Sequence, residues 1–411
     1  MKNFNNGLVS KNLILPKTKD YSKWAVIACD QFTSEIEYWN EVESVVKGEL
    51  STLNLVLPEI YLSDGVDERI EKINKNIKSY IDNGVFKTLS GGFILTVRKT
   101  PFVERRIGLV GAVDLEEYDF KVGSKTKIRA TEGTITERIP PRLKIRKDAK
   151  AEFTHIMILF DDEKREINEK LFENKNAYEK VYDFTLNMGG GSIEGYFVPD
   201  TDEILNGFKN LANKERLIKK YGKLDEFIFA VGDGNHSLAT AKTHWENVKK
   251  TLSEEEKLTH PARYAICEFV NIYDEGIYFE PIHRFVKGIN AQDFSTKLLK
   301  DFGGTITVFD GEKDITVKGE KSLPDTIKEL DAFIKDYIEK FGGEIDYVHG
   351  EENVRNLVKA TNGVGIFLDK LDKSELFRYV SNNGALPRKT FSMGENIEKR
   401  YYLEGSIIAN D

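Results

Sequence analysis

Cysteine is nearly absent from this 411-residue sequence, and the two present, Cys29 and Cys267, both sit in apolar runs. That excludes a disulfide framework and a multi-cysteine zinc site, and it fits a reducing compartment, so a cytoplasmic location is expected. Prolines number only 10, and no Pro-rich or Gly/Ser-rich tract occurs, which argues against long disordered linkers. No apolar run reaches the roughly 18 residues needed to span a bilayer, and residues 1–16 lack the apolar centre of a secretory signal. No membrane partner is expected. An excess of basic residues is missing too: 60 Lys and Arg stand against 68 Asp and Glu, for a net charge of −8. Such a field repels polyanions, so a nucleic-acid partner is not expected either.

What is present suffices for a large core, with 40% hydrophobic and 11% aromatic residues. Periodicity predicts a mixed α+β fold. The apolar run 24–29 reads as a buried strand that delivers Asp30 to the loop at its end, followed by a helix carrying Ile36, Trp39, Val42 and Val46 on one face. Residues 67–83 read as an amphipathic helix, 93–98 and 106–115 as strands, 128–141 as a restricted polar loop, 155–160 as a strand and 168–183 as a helix. The strand 227–231 ends in a breaker and is followed by helix formers at 237–250. Further strands fall at 263–272 and 278–286. From about residue 291 the pattern changes, so residues 1–290 are expected to form an N-terminal and catalytic α/β region. Residues 291–411 are expected to form a smaller α+β unit sharing its cleft.

The chemistry concentrates at Gly232-Asp233-Gly234-Asn235-His236-Ser237. Its glycines permit a reversal with positive φ, and the following helix offers unpaired N–H groups and a positive dipole end. That suits an anion. Neither the Gly-Lys-Ser/Thr of a P-loop nor the third glycine of a dinucleotide fingerprint is present. Asp233 is a candidate base or metal ligand and His236 a candidate proton carrier. An ordinary turn with His236 as a cap residue satisfies the same spacing.

The stretch from Arg129 through Thr131, Glu132, Glu137 and Arg138 to Pro140-Pro141-Arg142 places arginines suited to carboxylate or phosphate in a stiffened segment. A solvated, salt-bridged loop is the alternative. His260 with Arg263, His283 with Arg284, and Arg388-Lys389 beside hydroxyls are further candidate anion contacts. No two histidines have the i, i+4 spacing of a helical zinc site; His155, His244 and His349 read as structural or surface residues. Cys29 reads as a buried, inert thiol, and Gly189-Gly190-Gly191 as a turn.

On these residues the chain resembles the bacterial and archaeal family known as domain of unknown function 1015, nearly end to end. The carriers are Ala28-Cys29-Asp30-Gln31-Phe32-Thr33, Arg129-Ala130-Thr131-Glu132, Pro140-Pro141-Arg142, Gly232 to Ser237, His260-Pro261-Ala262-Arg263, Pro281-Ile282-His283-Arg284 and Phe391-Ser392-Met393-Gly394-Glu395. The Asp-Gly-x-His element is similar to that of the ParB-like and sulfiredoxin-like superfamily, which includes free-serine kinases using ADP or ATP. The resemblance implies a ParB-like catalytic core with an N-terminal extension, and Asp233 and His236 as matches to the catalytic motif. Family members encoded beside serine-biosynthesis enzymes imply serine or phosphoserine as the small anionic ligand. The arginine common directly after the histidine is here Ser237, and Arg129, Arg263 or Arg284 is the expected replacement.

The resulting expectation is a small-molecule phosphotransferase or phosphatase. Asp233, His236 and Asp30 are catalytic. Gly232, Gly234, Asn235, Ser237, Arg129, Thr131, Glu132, Arg142, Arg263, His283, Arg284 and Lys389 form the substrate and phosphate contacts. ADP or ATP serves as cofactor, with Mg²⁺, if used, on Asp30 or Asp233. A nucleic-acid-binding ParB-like protein and a non-catalytic sensor of an anionic metabolite are the rival readings; the net charge disfavours the first.

Overall fold

The computed structural model describes residues 2–410 apart from Asn5, Ser63, Asp64, Val122 and Asp301. The chain forms two compact units, one from Met1–Ile277, Val380–Gly384 and Glu395–Asp411, the other from Tyr278–Tyr379 and Ala385–Gly394. This division differs from the expected break near residue 291. The strand Phe279–Lys287 buries Ile282, Phe285 and Val286 and pairs with Glu344–His349 and Val364–Phe367, so it belongs to the second unit. The C-terminal stretch in turn is split between the two units.

In the first unit a mixed sheet runs in the order Glu179–Thr185, Ser192–Pro199, Gly92–Lys99, Arg106–Asp114, Tyr264–Asn271, Met157–Phe160, Phe229–Asp233, Ile128–Ala130, Tyr118–Asp119. Every residue of Arg106–Asp114 and of Tyr264–Asn271 is buried, because both faces are covered. The pleat divides their side chains between two cores: Val110, Ala112 and Ile266 join Trp24, Trp39 and Ile70 on one face. Leu109, Val113 and Cys267 join Phe160, Phe229 and Trp245 on the other. A smaller sheet pairs Ala151–Phe153, Gly405–Ile407, Leu13–Pro16 and Phe86–Leu89.

Two expected elements differ. Only Val26–Ile27 of the run 24–29 is strand, paired with Tyr401–Tyr402; Tyr21–Trp24 is a short helix capped by Asp20. The expected helix 168–183 stops at Glu173, and Glu179–Thr185 is a strand antiparallel to Ser192–Pro199. Their turn is closed by Leu186 N–H donating to Gly191 O at 2.8 Å. In the second unit Leu323–Phe341, capped by Ser322, buries Ile327, Leu330, Ile334 and Tyr337 at helical spacing. Among the described residues no helix is long and apolar enough to cross a membrane.

Candidate functional site

Val231 lies opposite Ile158 and Asp233 opposite Met157, so Gly232 is the extra residue of a β-bulge. It stays in the strand, and only Gly234 takes a left-handed conformation, at φ +77°. The expected two-glycine reversal is therefore a bulge that re-aims the strand end, followed by a single-residue turn. A Cβ at Gly234 would stand 3.0 Å from Ile156 Cα. Gly234→Ala is accordingly expected to cost at least about 1–2 kcal/mol from its φ alone, measured by urea unfolding. Gly234 is the cap residue of the helix Asn235–Val248 and makes no side-chain cap hydrogen bond.

Asp233 Oδ1 accepts the Gly234 N–H at 2.8 Å, and its Oδ2 lies 3.4 Å from Lys399 Nζ. Asp30 follows the short strand Val26–Ile27; its Oδ1 accepts from Gln31 Nε2 at 3.0 Å. Its Oδ2 is 3.5 Å from His155 Nε2, an ion-pair distance longer than an ordinary hydrogen bond. His155 Nδ1 is 2.8 Å from the Tyr402 hydroxyl, whose oxygen also accepts the Cys29 N–H at 3.3 Å. Burial pulls the His155 imidazole down, but the carboxylates of Asp30 and then Asp233 outweigh it, and its pKa is raised. Burial pushes the Asp30 carboxyl up. The charge of His155, the Gln31 hydrogen bond and the charge of Lys399 outweigh that and hold it well below the usual carboxylate range. About 30% of the Asp30 side chain remains accessible, so water screens the pair and moderates its strength. Asp30 and Asp233 thus share one charge-balanced cluster with His155 and Lys399. His155, expected to be structural or at the surface, is buried within it.

Beside this cluster a cavity of about 160 Å³ is lined by Asp30, His155, Tyr402, Arg142, Ser237 and Thr240, among others. Arg142 sits in the helix Ile139–Lys147, which the double proline opens rather than confines to a loop. Its guanidinium pairs with Glu59 and donates to Arg138 O at 2.7 Å. Burial lowers its pKa, against the charge of Asp30. His236 Nε2 accepts the Ile135 N–H at 3.2 Å, which places any neutral-ring proton on Nδ1. Asn235 is buried with Oδ1 unpartnered. Thr131 donates its hydroxyl to Val231 O at 2.7 Å, with Glu132 half-buried beside it.

The remaining candidates are engaged elsewhere. Arg129 grips Asp225 with both terminal nitrogens and Thr126 O with Nε, and Arg263 grips Asp114 at 2.9 and 2.8 Å; neither lines the cavity. Arg284, fully buried in the second unit, grips Asp331 and donates to Lys389 O at 2.8 Å. In the same unit His283 Nδ1 accepts the Leu368 N–H, and the Lys389 side chain is exposed. Burial pushes the Cys29 thiol up, which keeps it inert.

Among the described residues no three His, Cys, Asp or Glu side chains group to hold a metal. Asp30 and Asp233 already face cations of the chain, His155 and Lys399. This donor set does not fit Mg²⁺ held by the chain alone.

The family model described as "Protein of unknown function (DUF1015)" matches residues 11–378. No curated protein matches the sequence. Among solved structures, a free serine kinase in complex with AMP is similar at TM-score 0.38 and 9% identity, over 72% of this chain and 90% of that one. A conserved hypothetical protein from Pyrococcus furiosus is similar at TM-score 0.36 and 10% identity, over 73% and 95%. SbnI with a C-terminal truncation, from Staphylococcus aureus, is similar at TM-score 0.37 and 10% identity, over 69% and 82%.

Proposed function

The chain belongs to the DUF1015 family of proteins of unknown function, and from that premise we propose that its site performs phosphoryl transfer on a small metabolite, or hydrolysis of its phosphate ester. The observation that carries this is the pairing of Asp30 with His155 and of Asp233 with Lys399, next to a cavity and a glycine-capped helix N-terminus. Phosphoryl transfer asks little covalent chemistry of a protein. It asks for an oriented nucleophile and for positive charge where negative charge develops. Asp30, held ionised, accepts the hydrogen bond of an attacking hydroxyl or water and orients it, and the proton passes to an oxygen of the transferred phosphoryl group once the new P–O bond has formed. The bond to the leaving oxygen breaks on the opposite side.

Lys399, His155 and the first N–H groups of the helix Asn235–Val248 offer the compensating charge. Ser237, at the position where the related motif carries arginine, lines the cavity. It suits a hydrogen bond to substrate rather than charge neutralisation. We assign ADP or ATP as the phosphoryl donor, and serine or phosphoserine as the first candidates for the small anionic metabolite.

Phosphorus NMR on the purified protein mixed with serine and ATP, serine and ADP, or phosphoserine and ADP reads every direction at once. Transfer to or from the serine hydroxyl, or release of phosphate, is the expected result. An unchanged spectrum in every mixture overturns the proposal.

A further inference from the structure

The cavity beside Asp30 has a lining of two unlike kinds. One is aliphatic and aromatic, formed by Leu55, Leu57, Ile77, Ile145, Phe153 and Ile408. The other carries Arg142, Arg146 and Glu152. Its volume, about 160 Å³, compares with the roughly 150 Å³ apolar cavity that admits benzene. An apolar wall of that extent contributes little to serine, whose side chain is a single methylene bearing a hydroxyl.

Within the polar lining Arg142 is paired with Glu59, whereas Arg146 has to share its carboxylate. Arg146 Nη1 lies 2.6 Å from Glu152 Oε2, while Lys11 Nζ lies 3.8 Å from the Oε1 of the same carboxylate. That Oε1 also accepts the Ile266 N–H at 3.0 Å. Two buried or nearly buried cations therefore share one carboxylate.

Burial, aided by the charge of Arg146 and opposed by Glu152, brings Lys11 down to about 8. Burial and the charge of Arg146 bring His244 down to about 4, so it adds no further cation at neutral pH. Arg146 also keeps Nε and Nη2 buried without a partner. Arg263 and Arg284 use that same pair of nitrogens to grip Asp114 and Asp331. In Arg146 the fork that matches a carboxylate or phosphate is unfilled.

We infer that this cavity binds a small amphipathic anion, with a carboxylate or phosphate head at Arg146 and a short apolar body against the aliphatic and aromatic lining residues. The inference rests on the reading of this region as a small-molecule site, and it makes an apolar organic acid or its phosphate ester a better occupant than serine.

Isothermal calorimetry on the full chain tests it with acetate, butyrate, 4-methylpentanoate, phenyl phosphate, inorganic phosphate and serine. Affinity is expected to rise about fourfold per added methylene. The 4-methylpentanoate and phenyl phosphate arms distinguish a carboxylate head from a phosphate head. Arg146→Met, which keeps the stem and removes the charge, is expected to weaken binding at least tenfold. Ala149→Leu, which fills the cavity, is expected to abolish it with the melting temperature held, and it decides the matter should Arg146→Met fail to fold.

Serine, acetate or inorganic phosphate binding as tightly as both amphipathic probes overturns the inference, as does no binding by any probe. The readout does not require turnover. Phosphoryl transfer to serine without binding of the amphipathic probes sinks this inference alone; binding of the probes without any phosphoryl transfer sinks only the phosphotransferase reading.

Discussion

Replacing Arg400 by methionine is expected to destabilise the first unit by about 3–5 kcal/mol, because it strands buried carboxylates that the arginine now holds. Arg400 is 5% exposed. Its Nε lies 3.0 Å from Glu268 Oε2 and its Nη2 2.5 Å from Glu404 Oε2, while Nη1 donates to the carbonyls of Thr154 and Tyr401. Glu268 also accepts the Thr96 hydroxyl at 2.6 Å, and Glu404 the Tyr182 hydroxyl. Methionine preserves much of the packing volume but none of these donors. Urea unfolding with the slope held constant measures the loss. A change below about 1 kcal/mol would mean that Arg98 and Arg106, whose charges also act on Glu268, support the carboxylates unaided. The Thr154 contact adds a second effect: it fixes the residue before His155, so turnover is expected to fall together with stability.

His155→Gln is expected to lower turnover by about a hundredfold or more, the scale on which removing one group that stabilises developing negative charge acts. It also has a pH signature separate from a packing defect. The Asp30 carboxyl is depressed in the folded protein, so its contribution to stability is present above the unfolded value of about 3.9 and is lost as pH falls through the folded value. The His155 imidazole is raised, so its contribution is complete below about 6.5 and is lost as pH rises through the folded value. The stability difference between the wild type and His155→Gln is therefore expected to be largest between about pH 4 and 6.5 and to shrink on either side. Urea midpoints for both proteins at pH 3, 5.5 and 9 check it. A difference that does not vary with pH would make His155 a packing residue.

The long periodic elements were legible from sequence. The helix Val66–Asp82 and the strand Tyr264–Asn271 appear within two residues of their expected bounds, since each has one dominant pattern of burial. The placement of Asp233 at a strand end was legible too, because its apolar run stops at the carboxylate; the run before Asp30 is strand only at Val26–Ile27. The strand Glu179–Thr185 was not, because its partner is set by a turn rather than by its own composition. His155, Lys399 and Tyr402 carried no local signal. They meet Asp30 and Asp233 only after long chain excursions, and a histidine between a threonine and an apolar strand looks like any other. Arg129 and Arg263 misled for the converse reason: their partners Asp225 and Asp114 are about a hundred residues or more away in sequence, so they looked available.

The segment Glu395–Asp411 returns to the first unit after the second has been traversed, supplying Lys399, Arg400, Tyr402 and the strand Gly405–Ile407. A ribosome making this chain releases all of Tyr278–Tyr379 before the first unit can close. A product cut short before Lys399 lacks the counter-charge of Asp233, the anchor of two buried glutamates and the hydroxyl on His155. Such an interrupted chain carries the glycine turn and both aspartates without the residues that face them.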